Sequence, residues 1–320
     1  MQRRHFSGAL LAAAAMPWAT QAAGQPIRIV VPFGPGGVAD LTVRSVAQKM
    51  ADTTGQPVVI DNKPGAGGVV AATTVAHAAP DGLTLLLMSN ASAVSEGLFK
   101  SLPYSAIQDF APISLLGTFD LAVLVANDSP VRSLKDLIAQ AKARPGRLNI
   151  GTIAIGSTQN LAAELLKTTL GIDVQIVPFN GSAAVLTALR GRQVDASVEI
   201  LAPVLAQISG KALRALAVMG EHRAPGLPDV PTVAESDPAG KGFNVTSWNA
   251  LAAPARTPPA LIAKLNKDVN AALAAPDVKK RLADLGVEAH GSSPQEQAAL
   301  LAGEIKRWSA VIQRAGIPQQ

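Results

Sequence analysis

At 320 residues, 48% hydrophobic and 16% charged, the chain is long enough for two cores and too apolar to stay disordered. Its formal charge of +5 is spread along the sequence, with only 3% aromatic residues, which argues against a nucleic-acid surface of interleaved basic and aromatic groups. Cysteine is absent, so disulfides, thiolate-held metal, a thiol nucleophile and a lipid-modified cysteine behind a leader are all excluded.

In chain order, Arg3 and Arg4 precede the apolar "GALLAAAAM" and the small residues of "ATQAAG". Residues 1–24 therefore read as an export signal cut at Ala22, Ala23 or Gly24, too short to span a bilayer. Arg3-Arg4-His5-Phe6 also matches the core of a twin-arginine signal, and both export routes stay open. The first strand is "IRIVV". A turn containing Gly34, Gly36 and Gly37 follows, then a helix from about Asp40 with Val43, Val46, Ala47 and Met50 on one face. "PVVIDN" predicts a second strand, "GGVVAATTVAHAA" a helix and "LTLLLM" a third strand. Residues 110–128 form a long extended apolar run that breaks the alternation.

Strand and helix signals then resume with "LNIGTI" and "STQNLAAELLKTTLG", which Gly171 stops, and with "VQIVPFNG", "SAAVLTALRG" and "VDASVEI". A second extended break lies at 242–254. Pro258-Pro259, Pro276 and Ser293-Pro294 open three helices, the last with Leu301, Ile305, Trp308 and Ile312 in register. The grammar predicts an α/β fold of mainly parallel sheets flanked by helices. Its two long crossovers suggest a chain that leaves one domain, builds a second and returns.

Chemistry is thin along this framework. The four histidines have no metal-ligand spacing, no G-x-S-x-G appears, and the carboxylates are scattered, so neither metal nor catalytic residues are expected. Gly34-Pro35-Gly36-Gly37-Val38-Ala39 satisfies the dinucleotide pattern G-x-G-x-x-A, with Asp61 placed as a ribose acceptor. An exported NAD(P)-dependent oxidoreductase is thus one reading, although Pro35 removes a backbone donor from the turn. The other reading is binding. The first turn and a second one, Gly156-Ser157-Thr158, each offer N–H groups at a helix N-terminus, which suits an anion without catalysis. Asp40 either complements the helix dipole or accepts a proton from a ligand, and Gly37 is expected to need φ > 0.

"PIRIVVPFGPGGVADLTVR", "GQPVVIDNKPGAGG", "AAPDGLTLLL", "FAPISLLG" and "LRALAVMGEHRAPGLPDVPTVAES" resemble, in this order, the Bug-type substrate-binding proteins of tripartite tricarboxylate transporters. The resemblance implies a periplasmic two-lobed clamshell, without cofactor, that passes a small organic carboxylate to membrane permease subunits. It implies contacts from Phe33, Gly34, Gly36, Gly37 and Asp40 on one side and from Ile155, Gly156, Ser157 and Thr158 on the other. Ser89, Asn90, Asn180, Gly181 and Asp195 complete the expected set. The lobes are expected at residues 25–119 plus 245–320 and at 120–244, in a monomer that binds no nucleic acid. Relatives often carry Pro-Tyr-Lys/Arg-Gly where this chain has Pro178-Phe179-Asn180-Gly181, and a histidine-containing sequence where it has Gln159-Asn160. The neutral Asn180 points toward a monocarboxylate or an amide-bearing ligand.

Overall fold

The computed structural model describes residues 24–320, so the expected export signal lies outside the described residues. The elements run β1 Ile27–Val31, α1 Val38–Thr54, β2 Val58–Asn62, α2 Val69–Ala76, β3 Thr84–Ser89, α3 Asn90–Leu98 and β4 Phe110–Ala126. Next come α4 Leu134–Ala143, β5 Asn149–Ile153, α5 Thr158–Leu170, β6 Gln175–Phe179, α6 Ser182–Arg190, β7 Ala196–Ile200, α7 Leu205–Ser209 and β8 Leu213–Val218. The chain closes with α8 Val233–Ser236, β9 Thr246–Pro254, α9 Pro259–Ala274, α10 Pro276–Asp284 and α11 Pro294–Ala315.

The extended break at 110–128 is one strand, β4, and it organises the sheet. Along Phe110–Asp120 it pairs antiparallel with β9, which joins β3 and then the parallel set β1 and β2. From Leu121 onward the partners are β7 on one edge and β8 on the other, and parallel β5 and β6 continue from β7. The nine-stranded order is β2-β1-β3-β9-β4-β7-β5-β6, with β8 beside β4. Two half-sheets thus share one strand, and their parallel strands end facing each other. The result is a mixed α/β fold: the parallel triplets arise as the alternating grammar predicts, β9 runs antiparallel to β3, and β4 runs antiparallel to each of its partners β9, β7 and β8.

Alternation along the strands divides the core by face. Ile29, Leu85 and Leu87 meet Val43, Val46 and Met50 of α1 and Leu265, Val269 and Leu282 of α9 and α10. The neighbours Val30 and Leu86 pack on the other side with Val75 of α2, Leu98 of α3 and Trp308 of α11. That cluster continues through Leu121 and Val198 to Leu161 and Leu166 of α5, so one apolar layer spans both half-sheets. Each large side chain buried here contributes about 1.5–3 kcal/mol. Trp308, fully buried, also donates its indole N–H to Glu304 at 2.7 Å. This layer fixes where the loops at the strand ends can meet.

Candidate functional site

The first glycine turn leaves β1 at Val31 and enters α1 with Gly37 as its N-cap. Gly36 adopts φ +87°, a left-handed conformation that a side chain disfavours. Asp40, 1% exposed, reaches back from the first helical turn and accepts from the Gly36 N–H at 2.9 Å. The same carboxylate accepts from Arg44 Nε at 2.9 Å and from Asn62 Nδ2 at 2.9 Å. Asn62 Nδ2 also donates to the Phe33 carbonyl, and Arg44 donates to Asn62 Oδ1, each at 2.9 Å. Burial alone would raise the Asp40 carboxyl. The hydrogen bonds from Arg44, Gly36 and Asn62 outweigh it and hold the pKa below the usual value, keeping the group ionised.

One expectation changes on this geometry, and another gains a structural role. Gly37 has φ −77° and ψ 167°, ordinary extended backbone, so Gly36 is the turn residue that needs glycine's freedom. Asp40 accepts from three donors of the protein itself, so shaping the turn is a role it holds without any ligand. Its partner Arg44, one helical turn further, was not foreseen, although Asp-x-x-x-Arg is a readable i, i+4 pair. No side chain caps the start of α1. Its first-turn N–H groups, which a helix cannot satisfy internally, are therefore free for an external acceptor.

The second turn repeats the device. Gly156 has φ +80°, and its N–H donates to Asn160 Oδ1 at 3.2 Å, again four residues on and again buried. Asn160 is anchored in turn through Nδ2 to Thr152 Oγ1 at 3.2 Å. Ser157 is the N-cap of α5, its hydroxyl accepting from Asn160 N–H at 3.1 Å, and Thr158 opens the helix. Ile155 stands 50% exposed at the tip. A methyl built on Gly156 would lie 2.5 Å from Leu98 Cδ2 of α3, so this turn of one half-sheet touches a helix of the other.

Neighbouring strand ends gather further expected residues. Ile153 pairs with Phe179, which sets Asn180 and Gly181 beside the second turn, both exposed, with Gly181 at φ +94° as N-cap of α6. Beneath them lies Glu199, 1% exposed at the end of β7, with Oε2 accepting from Ser182 Oγ at 2.8 Å. Burial raises its pKa, against the pull of the Ser182 and Gln159 side chains. Ser89 caps α3 by accepting from Ala91 N–H at 3.2 Å. Asn90 is spent on β9: its Oδ1 accepts from Trp248 N–H and its Nδ2 donates to the Thr246 carbonyl. It latches α3 to β9.

Asp195 does not join the turns. It precedes β7 and exchanges hydrogen bonds with Asn149, at the start of β5, through its carboxylate at 2.8 Å and its backbone N–H at 2.9 Å. The second turn lies at the other end of that strand, about 13–16 Å away at the usual rise per residue. Asp61, the acceptor in the dinucleotide reading, stands between Arg28 at 3.7 Å and Lys63 at 3.8 Å, where its charge is already met.

Among known sequences, the family described as "Tripartite tricarboxylate transporter family receptor" matches residues 42–317. Among solved structures, the periplasmic binding protein BugD is 33% identical, covering 92% of this chain and 99% of its own, with a TM-score of 0.78. MatC from Rhodopseudomonas palustris, solved with bound malate, is 35% identical over 90% of this chain and 99% of its own, with a TM-score of 0.75. A second R. palustris protein, solved with adipate, is 33% identical over 94% of this chain and 99% of its own, with a TM-score of 0.80.

Proposed function

From the premise that this chain belongs to the tripartite tricarboxylate transporter receptor family, a family of periplasmic solute-binding proteins and not of enzymes, we propose that it captures a small organic carboxylate between its two glycine turns. The observation that carries this reading is the matched construction of the turns. Each has a positive-φ glycine whose N–H is held by a buried side chain four residues on, and each opens a helix. Backbone donors then face the ligand from both half-sheets, with each helix dipole adding up to about 1 kcal/mol. Gly34, Gly36 and Gly37 supply the first set and Ile155, Gly156, Ser157 and Thr158 the second. Phe33 forms the wall, and Asn180 with Gly181 the edge.

The lobes of this reading are residues 25–119 plus 245–320 and residues 120–244, supported by the exchange of β4 partners between Asp120 and Leu121. A bound carboxylate favours the closed state through its differential contacts with the two. A monomer delivers the ligand to permease subunits of a tripartite transporter, after export through the expected signal. Malate and adipate, bound by relatives, mark the size class. The neutral Asn180 selects against a second strongly held charge. The dinucleotide reading is withdrawn: the relatives are binding proteins, and Asp61 is already paired.

Thermal-shift screening of malate, adipate, small monocarboxylates and their amides against NAD(P)H tests the proposal. At least one carboxylate is expected to raise the melting temperature saturably and to lower the radius of gyration. Stabilisation by nucleotides alone, or by no carboxylate, would refute it.

A further inference from the structure

A second concavity separates the half-sheets away from both glycine turns. It encloses about 730 Å³, within the range of small-molecule sites. Its floor is the point where β4 passes from one half-sheet to the other, at Thr118, Phe119 and Asp120. One wall comes from Leu201, Ala202 and Leu205 after β7, and another from Val287, Glu288 and Ala289 after α10. None of the expected ligand contacts lines it. The walls meet where Gly286, at φ +66°, lies so close to Ala202 that a methyl there would overlap it.

Its electrostatics are lopsided. Asp120 is half-buried, and among the described residues no ion pair or hydrogen bond reaches its carboxylate. Burial, reinforced by the Glu288 charge, pushes its pKa up to about 6. Glu288 is held in place because its backbone exchanges hydrogen bonds with Thr118 at 2.8 and 3.1 Å. Of the other charged groups around the concavity, Arg223 is neutralised by Glu235 at 2.9 Å. Glu221, His222 and Lys279 are exposed at the mouth. Two carboxylates, the half-buried Asp120 on the floor and the exposed Glu288 on the wall, thus line this crevice with no ion pair to a cation of the protein, and the burial of Asp120 costs free energy until a positive charge enters.

We propose that this crevice is a second binding site, distinct from the carboxylate site, that takes a small organic amine with its ammonium group between Asp120 and Glu288. The apolar body lies along Phe119, Leu201, Leu205 and Val287. Because the crevice is walled by both half-sheets, an occupant bridges them. The site does not rest on the carboxylate reading, and neither falls with the other.

Titration calorimetry with hexylamine, and with hexanoate as the same tail of opposite charge, tests it. Saturable binding of hexylamine at pH 8 is expected, weakening by up to about tenfold at pH 5 as Asp120 takes up a proton. Asp120→Asn and Glu288→Gln should each weaken it at least tenfold while leaving carboxylate-induced thermal shifts unchanged. Both variants remove repulsion and should fold at least as well as the parent, which their melting curves check. No saturation by millimolar hexylamine, equal binding of hexanoate, or undiminished binding in folded Asp120→Asn would overturn the proposal.

Discussion

The contact between Gly156 and Leu98 can be weighed by a double-mutant cycle. Gly156→Ala faces two separate costs. An L residue at φ +80° is disfavoured by about 1–2 kcal/mol. The new methyl would also sit 2.5 Å from Leu98 Cδ2, an overpacking of about 1–3 kcal/mol. The single variant should therefore lose about 2–5 kcal/mol in urea denaturation. Leu98→Ala, which empties a buried position, loses about 2–5 kcal/mol by itself. In that background the clash has no partner, and Gly156→Ala should cost only its backbone strain. The expected coupling energy is about 1–3 kcal/mol. The substitution also pushes the second turn away from α3, so carboxylate binding should weaken in the single variant and recover in part in the double one. Additivity within about 0.5 kcal/mol would refute the reasoning, since it would mean that the turn and α3 do not touch.

Asp120→Asn should stabilise the protein at alkaline pH and leave it unchanged in strong acid. With a folded pKa of about 6 against 3.8 when free, the wild type loses stability as pH rises from about 4 through about 6. The full shift corresponds to about 3 kcal/mol and solvent access reduces it to about 1.5 kcal/mol, so an advantage of the variant over the wild type that is no larger at pH 8 than at pH 4 would contradict the burial argument. In the first turn, Gly36→Ala should cost about 1–2 kcal/mol through its φ of +87° alone, because open space surrounds its added methyl. Gly37→Ala, at φ −77° with equally open space, should fold like the parent, and chemical denaturation showing the two equal would refute the assignment of strain to Gly36.

Much of the framework was legible because it follows from local pattern. The β-branched run of residues 27–31, the stop at Gly171 with φ +58°, and the register of Leu301, Trp308 and Ile312 in α11 all stand as the sequence predicts. The break at 110–128 was visible as an interruption, but not as one strand serving two half-sheets, because pairing is a long-range property. The helix α4 went unread, although Ser133 and Asp136 form a capping box that local inspection could find. At the site, the turns were recognisable and their internal wiring was not. Asn62 meets Asp40 from 22 residues away, and which glycine turns left-handed depends on which N–H that carboxylate captures.

That wiring bears on what the turns can hold. The first contains a carboxylate, but Arg44 meets its charge at 2.9 Å, so little net charge remains. The second uses a neutral amide, Asn160, for the same task. Both turns therefore present an anion with oriented backbone dipoles rather than with a formal positive charge, and neither half-sheet attracts anions at long range through its turn. Discrimination then lies in geometry. On the proposed reading, donors fixed by buried side chains would fit one carboxylate at one spacing, while an ion with several charges would find donors for one of them and only the neutral Asn180 at the edge for the next. The buried Glu199 beneath Ser182 strengthens this selectivity, because any negative charge it retains adds to the cost of a second anionic group near the start of α6. A binding protein built this way selects by the number and placement of charges, with no cation of its own in either turn.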